Sequence, residues 1–334
     1  MTRQRFLPWE AIVHKRSLAL KSSVLETVAE SRELTVRLFG KELVFYKPDF
    51  IRSSKNSFPT FSVTGASCAL QCEHCKAEVL RSMKPAPTPE ALLRDMLSAH
   101  AKGARGCLVS GGSRPDGSVP LEPFIDAIAS AKRETGMTIV IHTGLIRRET
   151  ASKLAGAEVD AALIDLLGDE HSIRDVYHLD ATVGDYRRAV ADLVDAGIPM
   201  TPHYIVGLGA KPSAIEKVLD MLEEHRPRAF IVIALRPLQG TPMARIPPPT
   251  PEDVAYALAR ARLRLKGVPL ALGCMRPVGR LREEIDRMAV GAGINALAHP
   301  TRSAYAAAES GGWRVTERFT CCSEVFVDYP YQPA

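Results

Sequence analysis

No stretch of this sequence reaches the roughly 18 to 20 apolar residues that a bilayer-spanning helix needs, although 46% of its 334 residues are hydrophobic. The opening MTRQRFLPWEAIVHKRS also lacks the apolar centre of a secretion signal. These absences lead to the expectation of a cytoplasmic protein with no membrane contact. Charge of one sign is missing too: 43 basic residues stand against 38 acidic ones, spread along the chain, for a net charge of +5. So small an excess leaves only a mild bias toward anionic partners and gives no nucleic-acid footprint. Cysteine is sparse and odd in number, seven in all. In a long intracellular chain that count argues against a disulfide framework and for metal binding or redox chemistry.

What is present is a repeated pattern. From Phe58 onward, eight short apolar runs alternate with helical patterns: FPTFSVTG, GCLVSGG, TIVIHTG, AALIDLLG, MTPHYIVGLG, AFIVIALRP, PLALGCM and NALAHP. The segments between them, such as TPEALLRDMLSAHAKG and TVGDYRRAVADLVDAG, open on Thr or Pro and close on Gly, as capped helices do. Eight strand-helix units predict an α/β fold, a (β/α)8 barrel over residues 58–300 with its active site at the C-terminal ends of the strands. A doubly wound open sheet is the alternative. Residues 1–57 read as an extension, a helix around VLETVAESRELT followed by a hairpin, LTVRLFGKELVFY, turning at Gly40-Lys41. Residues 301–334 form a tail with two cysteines, expected to fold over the barrel mouth. Its few apolar anchors, Trp313, Phe319 and Phe326, suggest that its order depends on bound metal.

The loop after the first barrel strand, ASCALQCEHCKAEVL, carries Cys68, Cys72 and Cys75. One reading is tetrahedral zinc with His74 as the fourth ligand. Structural zinc sites, however, draw ligand pairs from two segments. Three thiols on one loop, with no partner pair of that kind, suit a 4Fe-4S cluster held at three irons, its fourth iron open. Cys107 opens the second strand facing away from the mouth and is assigned to packing. Cys274 ends the seventh strand in LALGCMRP, where Cys321 and Cys322 of the tail can converge with it on a second cluster. A redox or packing role for these three is the alternative.

The CxxxCxxC spacing on this loop resembles the radical S-adenosylmethionine (SAM) enzymes. The resemblance implies that the open iron chelates the methionine part of SAM, and that reduction yields a 5'-deoxyadenosyl radical. It implies further cofactor contacts. Gly111 and Gly112 in LVSGGS are similar to the family's Gly-Gly-Glu motif, with Ser113 standing where the Glu would be. Asp165 in LIDLLGD is a candidate for the ribose hydroxyls, because a carboxylate accepts two hydrogen bonds from a diol; a helix cap or rim salt bridge is its structural alternative. Gly207 in YIVGLG resembles the adenine-contact segment, and glycine there is also an ordinary turn former. His74 is expected beside the adenine. Arg236 and Met243 are candidates to line the cofactor and substrate channel, and Arg276 to contact an amide or the SAM carboxylate; rim salt bridges or core filling are the alternatives for each.

From Phe58 to about Pro300 the chain resembles biotin synthase, most clearly in IVGLG and LALGCMRPVGRLREEIDRMAVGAGINALAHP. That family holds a sacrificial 2Fe-2S cluster with barrel cysteines and an arginine, at whose place Cys274 stands here. VIHTG and TPHYIVGLG supply no cysteine, so such a cluster cannot be held in the same way. A second 4Fe-4S cluster on Cys274, Cys321 and Cys322 resembles instead the biotin-synthase-like pair that together form the lipoyl cofactor. GKELVFYKPDF and the cysteine loop are similar to that pair as well, so the resemblance covers nearly the whole chain. TRSAY is similar to a segment of single-chain lipoyl synthase in which a serine ligates the auxiliary cluster, making Ser303 a candidate fourth ligand, with Arg302, Ser323 or a substrate atom as rivals. The resemblance implies an octanoylated lipoyl-carrier protein or domain as substrate, a companion radical SAM protein, and ferredoxin or flavodoxin as electron donor. A radical reaction without sulfur transfer and a non-catalytic metal carrier are the other function classes.

Overall fold

The computed structural model describes residues 18–48, 58–208 and 213–330. All eight apolar runs become parallel strands, and their order in the sheet is their order in the chain. β2 (Thr60–Ser62), β4 (Gly106–Ser110), β5 (Thr138–His142) and β6 (Ala161–Leu163) pair in sequence. Single bridges, Ala162 to Met200 and Asp165 to His203, carry the sheet on to β7 (His203–Val206). From there β8 (Phe230–Ala234), β9 (Leu270–Leu272) and β10 (Ala296–Ala298) follow. The helices between them are α2 (Pro89–Ala101), α3 (Ile125–Thr135), α4 (Arg148–Gly156), α5 (Val183–Asp195), α6 (Ala214–Glu224), α7 (Pro251–Arg264) and α8 (Arg280–Gly291). Thr88, Thr182 and Thr250 cap α2, α5 and α7, the last two in full capping boxes, each satisfying otherwise orphaned N–H groups.

The eight-strand arc does not close on itself by strand pairing. Among the described residues β10 pairs with β1 (Glu42–Tyr46) rather than β2, and β11 (Arg314–Arg318) pairs with the other edge of β1, both in parallel. The two-residue strand β3 (Lys84–Pro85) lies on the outer edge of β2. The extension and the tail are therefore built into the sheet of the barrel.

The hairpin expected near Gly40 is instead a helix followed by a strand. α1 (Leu18–Phe39) runs through the segment LTVRLF, and Gly40, at φ +70°, sends its N–H back to the Val36 carbonyl at 3.0 Å. This is the left-handed glycine that stops a helix, and it looks like a hairpin turn in a sequence because both want positive φ. α1 is fastened by Ser31 and Thr35, whose hydroxyls donate to the carbonyls of Ala292 (2.7 Å) and Gly293 (2.6 Å). Gly293 is glycine for this contact, since a Cβ there would stand 2.8 Å from the Arg32 Cα.

The tail also differs from expectation. After α9 (Arg302–Ser310) and β11 it turns inward, and its turn Cys322–Glu324 touches both β6 and β10. Those strands are four places apart in an eight-strand order, so the turn lies inside the barrel and not over its mouth. Cys321 and Phe326 pack on the inward-facing Phe58, Leu108, Val140, Ala161 and Leu163. The short helix α10 (Val325–Asp328) follows, with Val325 fully buried and Asp328 bonded to Arg318 and the Tyr46 hydroxyl. Backbone pairing and buried apolar contact hold this tail, so metal is not its only anchor. Among the described residues no helix is long and apolar enough to cross a membrane.

Candidate active site

The cysteine loop leaves β2 at the C-terminal end of the sheet and winds through three residues of positive φ, Gln71, Lys76 and Ala77. It is braced from three sides. Thr64 Oγ1 donates to the Ser67 carbonyl at 2.8 Å and accepts from Gly112 N–H at 2.7 Å. Ala69 N–H donates to the Ser113 carbonyl at 2.9 Å, and Ser113 N–H donates to Cys68 Sγ at 3.3 Å. Across the loop, Glu73 N–H donates to the Val176 carbonyl at 2.9 Å, and Glu73 pairs with His178 Nε2 at 2.9 Å. Neither Glu73 nor His178 stands out in the sequence, because their partnership spans a hundred residues. Gly111 and Gly112 have a local reason to be glycine: a Cβ on Gly112 would lie 1.9 Å from the Ser67 carbonyl oxygen.

Cys72 is buried, while Cys68 and Cys75 are partly open. Burial pushes the Cys72 thiol up to about 12, with Cys68 and Cys75 adding to the rise. The three sulfurs are thus close enough to feel one another's charge. Yet among the described residues no three Cys, His, Asp or Glu side chains converge as one metal ion would demand. A cluster bound through three irons spreads its thiolates over different metal atoms, and this donor set fits that group better than a single zinc. His74, expected beside the adenine, packs tilted on Tyr177 with ring centroids 5.0 Å apart. Its Nδ1 and the Tyr177 hydroxyl are buried with no partner among the described residues. Unpaired buried polar atoms at one wall of a cavity are what a polar ligand would satisfy.

Asp165 follows β6 and lies near Cys72 and Cys75 of this loop, adding to the rise of both thiols, and keeps 27% of its side chain accessible. It caps no helix. Burial would raise its pKa, but His142 above all, then His203 and His74, hold it down at about 2. His142 Nε2 lies 3.5 Å from Asp165 Oδ1, and the rings of His142 and His203 are 6.2 Å apart. Burial lowers His203 to about 4, so it is neutral at pH 7. Both histidines occupy the strands where the resemblance to biotin synthase calls for cysteine. Gly207 ends β7 at φ +90°, with Pro249 so close that a Cβ would meet it at 2.9 Å.

Cys274 follows β9 and opens onto the cavity. Burial raises its pKa, and Cys321 raises it further; Cys274 in turn contributes to the raised pKa of Cys322. The three thiols, from distant parts of the chain, are thus near enough to feel one another's charge, while no three side chains among the described residues converge as one metal ion would demand. The hydrogen bond from Cys322 lowers the Cys321 thiol, with Ser323 assisting, so Cys321 is the one poised to ionise. Cys107 is fully buried on the outward face of β4, as packing predicts. Arg236 stands exposed at the end of β8, while Met243 approaches the cysteine loop, its N–H donating to the Glu73 carbonyl at 3.2 Å.

Two expected site residues lie elsewhere. Arg276 is 1% exposed and spends its guanidinium on Asp286 (2.6 and 3.2 Å) and the carbonyls of Gly273, Ala298 and His299. It ties the ends of β9 and β10 to α8, leaving its donors engaged rather than offered to a ligand. Ser303 points outward on α9 and donates to Glu283 Oε2 at 3.0 Å. It lines a surface groove with Arg287 and Trp313, so it does not reach the thiols. Ser323, buried beside Cys321 and Cys322, is the serine placed near them.

Residues 62–222 match the sequence model of the radical SAM superfamily. Among curated proteins the chain is similar to biotin synthase of Methylobacterium nodulans, 26% identical over 256 residues, covering 72% of this chain and 74% of that one. It is similar also to biotin synthase of Crocosphaera subtropica, 24% identical over 269 residues, covering 75% and 70%. Among solved structures, methylornithine synthase superposes with a TM-score of 0.62 at 14% identity, covering 92% of this chain and 93% of that one. A maturase of the [FeFe]-hydrogenase superposes with a TM-score of 0.64 at 14% identity, covering 95% and 73%; these two likenesses concern the fold alone. Residues 62–222 therefore resemble the radical SAM superfamily, the parallel α/β fold is the one these two solved structures share, and the two curated proteins named here are biotin synthases.

Proposed function

We propose that this protein is a radical SAM sulfur-inserting enzyme, one partner of a two-protein lipoyl synthase that acts on an octanoyl or mercapto-octanoyl chain of a carrier domain. The observation that carries the reading is the electrostatic proximity of Cys274 to Cys321 and Cys322, with Cys321 packed on the buried cluster of Phe58, Val140, Ala161 and Leu163. His142 and His203, in place of barrel cysteines, argue against the biotin synthase arrangement of the second cluster.

Cys68, Cys72 and Cys75 hold the SAM cluster, and Cys274 with Cys321 or Cys322 holds the second one. When bound, these groups supply a 5'-deoxyadenosyl radical able to take hydrogen from an unactivated C–H bond, and sulfur for the carbon left behind. The chain's own part is placement and protection. Ser113 N–H steadies Cys68, Gly112 lets the loop seat against β4, and Asp165 accepts hydrogen bonds from the ribose hydroxyls of SAM. Tyr177 and His74 close the wall beside it. The tail turn fills the lower barrel and keeps bulk water from the space between the two cysteine sets.

The test is iron and sulfide content with Mössbauer spectra of the anaerobically reconstituted protein, beside a variant with Cys68, Cys72 and Cys75 all changed to Ala. About eight irons falling to about four supports two 4Fe-4S sites. Four falling to none leaves a single SAM cluster and a reaction without sulfur transfer.

A further inference from the structure

Three imidazoles, His142, His203 and His74, act on the Asp165 carboxylate, and His142 has no task so far. Alternation along β5 turns Thr138, Val140 and His142 to one side. Val140 belongs to the buried cluster on which the tail residues Cys321 and Phe326 pack, so His142 shares the side of β5 that meets the tail. Its Nε2 stands 3.5 Å from Asp165 Oδ1. The backbone on either side of Asp165 is locked to β7, Leu166 N–H donating to the His203 carbonyl and His203 N–H to the Ile164 carbonyl, both at 2.8 Å. Main chain thus fixes where Asp165 starts. The last rotatable bond of the side chain is left for His142 to fix.

We infer that His142 is a positioning residue, aiming the Asp165 carboxylate at the vicinal hydroxyls of a nucleoside sugar, here the ribose of SAM. The inference rests on the reading of Asp165 given above. A diol bonds well only to a carboxylate whose two oxygens lie in a set plane, since each hydroxyl needs its own acceptor direction. An imidazole edge 3.5 Å from Oδ1 biases that plane and leaves Oδ2 and the remaining Oδ1 lone pair for the sugar. It also offsets the desolvation that would otherwise neutralise the carboxylate. His203 supports the arrangement mainly through its backbone, so its side chain carries less of the effect.

The experiment compares SAM with L-methionine on the reconstituted holoprotein, each titrated against the EPR signal of the reduced cluster. L-Methionine presents the same amino and carboxylate groups but no sugar. His142→Ala is expected to weaken SAM binding about threefold, the scale of a lost, partly accessible ion pair, with methionine binding unchanged. His142→Gln, which keeps an N–H donor, is expected to recover most of the loss. Equal weakening of both ligands, or no weakening of SAM, overturns the inference. Asp165→Asn separates the two claims. If it weakens SAM while His142→Ala does not, only the role of His142 fails; if it leaves SAM binding intact, the reading of Asp165 fails and the inference with it.

Discussion

Gly112→Ala is the smallest change that should unseat the cysteine loop. The added methyl would lie 1.9 Å from the Ser67 carbonyl oxygen and 2.6 Å from both Cα and Cβ of Cys68, where 3.0 Å is the practical floor. The obstacle is backbone, so no side chain can swing aside. Ser67 would have to retreat by about 1 Å, and its carbonyl is held by Thr64 Oγ1, which also accepts from the Gly112 N–H. Moving the loop loosens these bonds and the Ser113 contact to Cys68 Sγ. Overpacking of this kind costs about 1 to 3 kcal/mol, and here the strain falls on a ligand-bearing segment. The expected outcome is loss of the iron bound by the Cys68 loop, with a modest drop in thermal midpoint. Gly291→Ala, on α8 with open space around its Cβ position, is the control and should be neutral or stabilising by about 0.5 to 1 kcal/mol. Full iron content in Gly112→Ala, with an unchanged EPR response to SAM, would refute the argument from packing.

Cys274→Ala should lose about half of the bound iron while still cleaving SAM reductively; retention of both clusters sinks the assignment of the second site. Arg276→Met leaves Asp286 buried without its partner, a loss of about 3 to 5 kcal/mol, and a urea midpoint within experimental error of the parent would contradict a structural role. Stability should also depend on pH through His203. Its folded pKa of about 4 lies below the ordinary 6.5, so the unfolded chain binds the proton first and stability falls as pH drops from 6.5 toward 4, by at most about 3 kcal/mol. His203→Gln should flatten that part of the profile. Asp165, depressed from 3.8 to about 2, acts lower: its contribution is full above pH 3.8 and disappears as pH falls toward 2. In the metal-free protein the tail should stay protected from proteolysis through residue 328, because β11 pairs with β1 along five residues; early cleavage after Arg318 would show that metal is what holds it.

The barrel strands were readable because each is a buried run closed by its own turn signals, and a parallel strand covered on both faces needs nothing more. The cysteine loop was readable for a related reason, since its three ligands are neighbours in the chain. What escaped notice depends on long separations. Gly40 satisfies the demands of a hairpin turn and of a helix end alike, and only the packing of α1 against α7 and α8 decides between them. Arg276 and Ser303 look like ligands by position, one beside Cys274 and one inside a familiar pentapeptide. Their orientation was set by Asp286 and Glu283 on α8, which have no local signature as partners.

His142 and His203 show how a departure from a resemblance becomes informative once its place in the barrel is known. Read as a gap in a cysteine pattern, VIHTG says only that one kind of cluster cannot form. Placed on the fold, the same histidine meets Asp165 across one strand, and the missing ligand turns into a new partner for a carboxylate. A carboxylate drawn partly out of water is costly to keep charged unless its neighbours or a ligand compensate. The cavity wall beside it also leaves the Tyr177 hydroxyl and His74 Nδ1 unpaired among the described residues. The carboxylate, the unpaired Tyr177 hydroxyl and the cysteine loop lie near enough to act on one another's charge, so one polar ligand reaching this region would answer the carboxylate and the unpaired groups together.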